Sequence, residues 1–273
     1  MTTGVEPDPG FRALTEKISR ERGFGCASYK ERCLRRRIAV RMRARGVHTF
    51  EDYARLLDGD AAEYDRLLDT LTINVTKLFR NWETWALLAE RVVPELWARP
   101  EPTIRVWSAG CSSGREAYSI AILFHRHAER LGMAGRVGRV EIVGSDVDRG
   151  ILAAAERAEF EEGDFADTPA DLRRGYFTPA APHRLRADVR RLVRFEQRDL
   201  LREPPPAGPF HLVLCRNVLI YFDRASQERL FTTFRSVLVP GGHLVLGKVE
   251  TLLGDARLAY STVDARERVF RRS

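Results

Sequence analysis

Leu34, Ile38 and Met42 recur at four-residue spacing with arginines filling the positions around them, a pattern that predicts a helix with one buried face. The segment lies in a stretch, from about 11 to 71, that carries helical periodicity and no convincing strand. Gly46 ends this helix. Thr49-Phe50-Glu51-Asp52 resembles a capped start for the next, which runs through Tyr53, Leu56 and Leu57. A further helix covers roughly 61–71, so helix-only sequence with short connections predicts a small helical bundle.

After Leu71, the run Thr72-Ile73-Asn74-Val75-Thr76-Lys77-Leu78-Phe79-Arg80 leads into an amphipathic helix reaching about Trp97. Arg99-Pro100-Glu101-Pro102 then breaks the chain. From Ile104 the texture changes. Strand-like runs at 104–109, 140–145, 192–196, 210–215 and 243–247 mostly alternate with helical stretches at 114–131, 148–159 and 224–238. That alternation predicts an α/β fold with a right-handed, largely parallel, doubly wound sheet of Rossmann-like type. The segments 258–263 and 267–271 read as a closing antiparallel hairpin. The stretch 161–191 fits neither pattern and reads as a small inserted subdomain, and Pro204-Pro205-Pro206 marks a turn before the fourth strand.

Composition narrows the class. Of 273 residues, 44% are hydrophobic and 30% charged, as in an ordinary globular protein. No run approaches the roughly 18 consecutive apolar residues a membrane helix needs, so no membrane insertion is expected. The polar, Pro-containing start MTTGVEPDPG does not read as a secretion signal. Cys26, Cys33, Cys111 and Cys215 are scattered with no C-x-x-C pair, which favours reduced thiols in the cytoplasm over disulfides or a zinc site, and no metal is expected. A formal charge of +7 points to an acidic partner. Much of the charge is local: Lys30, Arg32, Arg35, Arg36, Arg37, Arg41, Arg43 and Arg45 are opposed within 30–45 only by Glu31. A solvated basic surface is the plain alternative.

The candidate chemistry sits at the strand ends. Ile104 to Gly114 is a strand running into a turn of small residues, with a helix opening at Gly114. Small side chains at Gly110, Ser112 and Ser113 let a ligand lie against the backbone, although an ordinary tight turn has the same composition. Asp146, at the tip of the second strand, stands where doubly wound folds bind ribose hydroxyls, or else caps the helix starting near Asp148. Gly110 and Gly114 do not form G-x-G-x-x-G, and Asp146 lies beyond the usual ~20 residues past the loop, both of which argue against NAD. Asp199 follows the third strand and could accept from an adenine amino group. Cys215-Arg216-Asn217-Val218-Leu219-Ile220-Tyr221-Phe222-Asp223 places Arg, Asn and Tyr at the end of the fourth. There is no Asn-Pro-Pro-Tyr, and Pro240-Gly241-Gly242 before the fifth strand completes a layout typical of methyltransferases.

With these motifs in order, LTINVTKLFRN (71–81), VWSAGCSSGREAYSIA (106–121), GSDVD (144–148), CRNVLIYFD (215–223) and LVPGGHLVLG (238–247), the chain resembles the chemotaxis receptor methyltransferase (CheR) family over nearly its whole length. The resemblance implies an S-adenosylmethionine (SAM) methyltransferase sheet with a small N-terminal all-α domain. It implies a receptor-docking domain over 1–72, a linker and helix contributing to the active site over 73–99, and a SAM-dependent domain over 100–273 holding the insertion. The donor is then SAM, leaving as S-adenosylhomocysteine, and the acceptor a glutamate carboxylate on a methyl-accepting receptor. By motif, Asn74, Thr76 and Arg80 cover the donor's methionine end, Glu116 binds its ammonium and Asp146 its ribose. Asp199 and Leu200 border the adenine, and Arg216 and Asn217 line the wall near Gly110. Arg80 and Tyr221 fall nearest the transferred methyl. Read alone, Arg80 is better taken as a solvated or salt-bridged linker arginine, and Tyr221 is equally a core tyrosine.

Departures from the family pattern are local. Arg115-Glu116-Ala117-Tyr118-Ser119 replaces Glu-Glu-Pro-Tyr-Ser, and Gly247-Lys248-Val249-Glu250 replaces Gly-His-Ser-Glu. The insertion lacks a glycine-rich hairpin loop, so no tethering to a receptor's C-terminal pentapeptide is expected. The basic helix 30–45 instead suits the acidic coiled coil of a receptor's cytoplasmic domain. Two rival readings remain. A nucleic-acid methyltransferase is disfavoured by the missing Asn-Pro-Pro-Tyr and the lack of interleaved aromatics in the basic helix, so no nucleic acid is expected. A non-catalytic module sensing SAM or its demethylated product draws modest support from the departures at Arg115 and Lys248.

Overall fold

The computed structural model describes residues 8–72 and 76–273. They form two compact units, one comprising 8–72 with Tyr221–Ser226, the other 76–220 with Gln227–Ser273.

The smaller unit holds helices α1 (Pro9–Arg22), α2 (Glu31–Ala44), α3 (Phe50–Gly59) and α4 (Ala61–Leu71). Local chemistry sets their ends. Asp8 accepts from the Gly10 and Phe11 amides with Pro9 at the first helical position, and Gly23 closes α1 at φ 68°. Thr49 caps α3 by accepting from Asp52 N, as its sequence suggests. Leu34, Ile38 and Met42 are buried together with Phe11, Leu14, Ile18, Tyr53, Leu57 and Leu67. Glu63 is fully buried yet satisfied. Arg41 forks onto it at 3.0 and 2.5 Å, and the Tyr53 hydroxyl donates at 2.8 Å. Burial works to raise this carboxyl's pKa, but the donors prevail and hold it below the ordinary value.

Tyr221–Ser226 belongs to this unit through real bonds. Lys30 N donates to Tyr221 O at 2.8 Å, Asp223 N to Ser28 O at 3.0 Å, and the Tyr29 and Phe222 rings meet edge to face. Arg37 is buried. It stacks over the Tyr221 ring at 4.8 Å and donates to Leu71 O.

In the larger unit, α5 (Trp82–Leu87) continues through a π turn into α6 (Val93–Trp97). There follow β1 (Ile104–Ala109), α7 (Arg115–Arg130), β2 (Val140–Asp146) and α8 (Arg149–Arg157). The insertion carries β3 (Glu159–Phe160), α9 (Ala170–Tyr176), β4 (His183–Arg184) and α10 (Ala187–Arg190). The chain closes with β5 (Val193–Gln197), β6 (Phe210–Cys215), α11 (Arg224–Val237), β7 (Leu238–Leu246), α12 (Ala256–Ala259), β8 (Tyr260–Asp264) and β9 (Val269–Arg272). The sheet order is β5-β2-β1-β6-β7-β9-β8, parallel from β5 to β7 and antiparallel thereafter.

The central strands β1, β2 and β6 are buried almost throughout, as parallel strands covered on both faces are, while the outer strands β5 and β8 are partly exposed. Ile104 and Val106 pack with Trp85, Leu88 and Ile122, while Trp107, pointing the other way, meets Phe234 edge to face at 5.5 Å. Among the boundaries that differ from the sequence pattern, the closing hairpin starts two residues late on each strand, after the helical turn α12, and two others have a local cause. α8 stops at Arg157 because Ala158 turns left-handed (φ 51°) and the chain enters β3. β7 begins at Leu238, five residues early, because Pro240-Gly241-Gly242 is a bulge inside the strand; Phe210 pairs with Leu238 and Leu212 with His243. The insertion is no separate body: Phe160, Phe165, Leu172, Tyr176 and Phe177 join the main core.

Candidate active site at the strand ends

Strand order reverses at β1, with β2 and β5 on one side and β6 and β7 on the other, which opens a crevice at the carboxyl ends of β1 and β6. Most of the predicted residues fall here. Gly110 N and Cys111 N both donate to Ser145 O, at 2.8 and 2.9 Å, drawing the β1 loop onto β2. Gly110 has φ +74°, and a Cβ there would stand 2.6 Å from Val218 Cγ2, so glycine is required on two counts. Asp146 is not the cap of α8; Asp148 is, accepting from Ile151 N at 3.0 Å. Asp146 instead receives Ser112 N at 2.8 Å and Asp148 N at 3.1 Å. Burial raises its pKa against those two bonds.

Glu116, in the first turn of α7, is buried and accepts from Ser108 Oγ at 2.8 Å. Its pKa is pushed up to about 7 by burial, which outweighs the nearby Arg216 and the serine bond. Arg216 Nη1 stands 3.7 Å from Glu116 Oε2, too long for a hydrogen bond. Its Nη2 donates to Arg80 O at 2.7 Å, and its plane lies over Trp85. Arg216 Nε, also buried, has no hydrogen-bond partner among the described residues. Among the described residues, a buried acid and a buried guanidinium thus keep bonding capacity that is left unused. That suits a ligand carrying an ammonium and a carboxylate.

Asn217, with φ +62°, is held by a residue whose role in the sequence was not evident. Buried Glu250 accepts from Gly247 N at 2.6 Å, Asn217 N at 2.9 Å and Ile220 N at 3.3 Å. Lys248 pairs at 2.5 Å with Glu267, which also accepts from Thr84 Oγ1, so this departure from the family pattern ends in a structural ion pair. Arg198 N donates to Asp146 O, bringing the end of β5 to that of β2. Next to it, Asp199 accepts from Leu201 N at 2.8 Å, and Leu200 is half-buried.

Thr76 and Arg80 are half-buried, and the Arg80 carbonyl also accepts from Trp85 Nε1 at 3.0 Å. Asn74 lies outside the described residues. Tyr221 belongs to the smaller unit, over Arg37, whereas Arg80 belongs to the larger. Cys111 and Cys215 are buried, and burial pushes both thiols well above their ordinary range, so neither is a ready nucleophile.

A sheet of this order, with a small-residue loop after β1 and acids after β1, β2 and β5, defines the class as a SAM-dependent methyltransferase. More narrowly, the chain belongs to the CheR methyltransferase family: residues 74–269 match its SAM binding domain and residues 9–72 its all-alpha domain. The chain is 35% identical over 252 residues to a chemotaxis protein methyltransferase of Klebsiella aerogenes, covering 89% of this chain and 83% of that one. It is 31% identical to a chemotaxis protein methyltransferase of Listeria innocua, covering 97% of each. A 104.1 kDa uncharacterized protein of Rhodobacter capsulatus is 34% identical over 98% of this chain but only 28% of its own length.

Proposed function

We propose that the protein transfers the methyl group of SAM to glutamate side chains on the cytoplasmic coiled coil of a chemoreceptor. The observation that carries the reading is the chain of contacts from Glu116 through Arg216 to Arg80. It joins an acid suited to the donor's ammonium to the arginine assigned to the acceptor. When bound, SAM supplies an electrophilic methyl on a sulfonium. Asp146 takes the ribose hydroxyls, Asp199 and Leu200 border the adenine, and Asn74 and Thr76 cover the methionine end. Gly110, Arg216 and Asn217 form the wall.

A glutamate is ionised at neutral pH, so its oxygen attacks with no general base. The O–CH3 bond forms as the S–CH3 bond breaks, the sulfonium becomes a neutral thioether, and no proton moves. What remains for the protein is to exclude water and align the carboxylate, which Arg80 does by paired N–H donation; the family motif assigns Tyr221 to the same step.

The receptor is met through α2. Of its cations, Arg32, Arg36 and Arg43 are exposed and make no ion pair among the described residues. The two strands of the insertion are two residues each, which supports docking without a tail-peptide tether. The test is transfer of labelled methyl to receptor-containing membranes. Base-labile label released as methanol is expected, and abolished by Arg80→Ala with donor affinity largely kept. Base-stable label, or tight SAM binding with no transfer, would overturn the reading.

A further inference from the structure

Arg115 opens α7 beside Glu116, yet its guanidinium turns away from the donor acid toward the insertion. Its Nε and Nη2 donate to the two oxygens of Asp164, both at 2.9 Å, Nη1 donates to Ser113 O at 2.8 Å, and the plane lies 5.0 Å from the Phe160 ring centre. Both members of the pair are largely shielded, at 14% and 13% exposure, so solvent screens the interaction poorly. Asp164 also closes the turn 162–165 by accepting from Glu161 N.

That turn grips the segment around Arg80. Leu78 N donates to Asp164 O at 3.1 Å, Asn81 N to Asp167 Oδ2 at 3.0 Å, and Thr168 Oγ1 to Leu78 O at 3.4 Å. From α7, Ser119 Oγ receives Phe79 N at 2.9 Å and itself donates to Arg115 O at 2.7 Å. The grip has something to hold. Phe79 and Asn81, flanking Arg80, sit at φ 52° and 61°, a left-handed region that residues with side chains occupy at a cost. The amides of Leu78, Phe79 and Asn81 therefore end on the insertion turn, on Asp167 two residues after it, or on α7, and the Arg115–Asp164 pair joins the turn to α7.

We infer that Arg115 is a positioning residue for methyl transfer: paired with Asp164, it locks the insertion turn that sets the backbone on both sides of Arg80. The inference rests on the reading of Arg80 given above. Arg115→Ala and Asp164→Ala should each lower kcat by about tenfold or more, since a displacement near 1 Å at a reacting group costs up to ~100-fold. SAM affinity by calorimetry should change less than about threefold, because Glu116 and Asp146 keep their partners. The double variant should be no slower than either single one, and Asp164→Glu should recover part of the loss.

Hydrogen exchange supplies a readout apart from activity. In Arg115→Ala, the Leu78 and Asn81 amides should lose protection while those of β1 and β2 stay protected. Additive losses of the two alanine variants, or unchanged exchange at Leu78 and Asn81, would overturn the inference. A failure of the underlying reading shows separately, as near-normal turnover by Arg80→Ala. A variant that unfolds is recognised by lost protection across β1 and β2, and Arg115→Lys, which keeps the charge but not the fork, then takes its place; it should loosen Leu78 and Asn81 without that general loss, and full protection there would overturn the inference.

Discussion

Arg216 donates from Nη2 to the backbone carbonyl of Arg80 at 2.7 Å while its Nη1 stands 3.7 Å from the carboxylate of Glu116. One buried guanidinium thus serves both the α7 acid and the segment before α5. Arg216→Met should therefore disturb both ends at once. Removing one member of a buried pair costs about 3–5 kcal/mol, because the other charge is left in a poorly solvating site. A large fall in Tm and a loss of SAM affinity are expected. Unchanged melting would show that the pair contributes nothing.

Glu116 gives the pH dependence a sign. Its pKa is raised by burial from 4.5 to about 7 in the folded protein, so the native state binds more protons than the unfolded chain between those values. The stability from this group is complete at low pH and declines as pH climbs from 4.5 to about 7. Glu116→Gln should accordingly be more stable than the wild type above neutrality and no better at acid pH, measured by denaturant titration. An ammonium selects the ionised acid, so SAM affinity should fall by up to about tenfold per unit as pH drops below 7. The glutamine variant should bind weakly with no such dependence.

Glu250 gathers three amides of the β6 and β7 loops, and burial raises its pKa against those bonds. Glu250→Ala strands buried donors at about 1–3 kcal/mol each. Donor affinity should fall together with turnover, because Asn217, assigned to the wall of the donor pocket, loses its support at φ +62°. Glu250→Gln, which keeps one acceptor oxygen, should lie between. Equal kinetics for all three proteins would remove this role.

The arginines of α2 divide into two kinds. Arg41→Ala leaves Glu63 buried and short of its fork, and should cost about 3–5 kcal/mol on unfolding. Replacing Arg32, Arg36 and Arg43 by alanine should leave Tm unchanged but raise KM for receptor, with the difference shrinking as salt is added. A KM insensitive to both salt and these three substitutions would place receptor contact elsewhere.

What the sequence by itself determined follows from short-range rules. The spacing of Leu34, Ile38 and Met42, the cap at Thr49, the alternation of strands and helices after Ile104 and the small-residue loop from Gly110 to Gly114 were all legible, because periodicity and turn chemistry act over a few residues. Partnerships across long separations were not. That Arg37 and Arg41 are internal while Arg32 and Arg36 face out, that Arg115 meets Asp164 and Lys248 meets Glu267, and that Glu250 holds the Asn217 loop were decided by the tertiary structure. The physical reason is that a charged side chain takes whichever partner the topology brings within reach. A sequence pattern specifies the face a residue occupies, but not what the fold packs against that face.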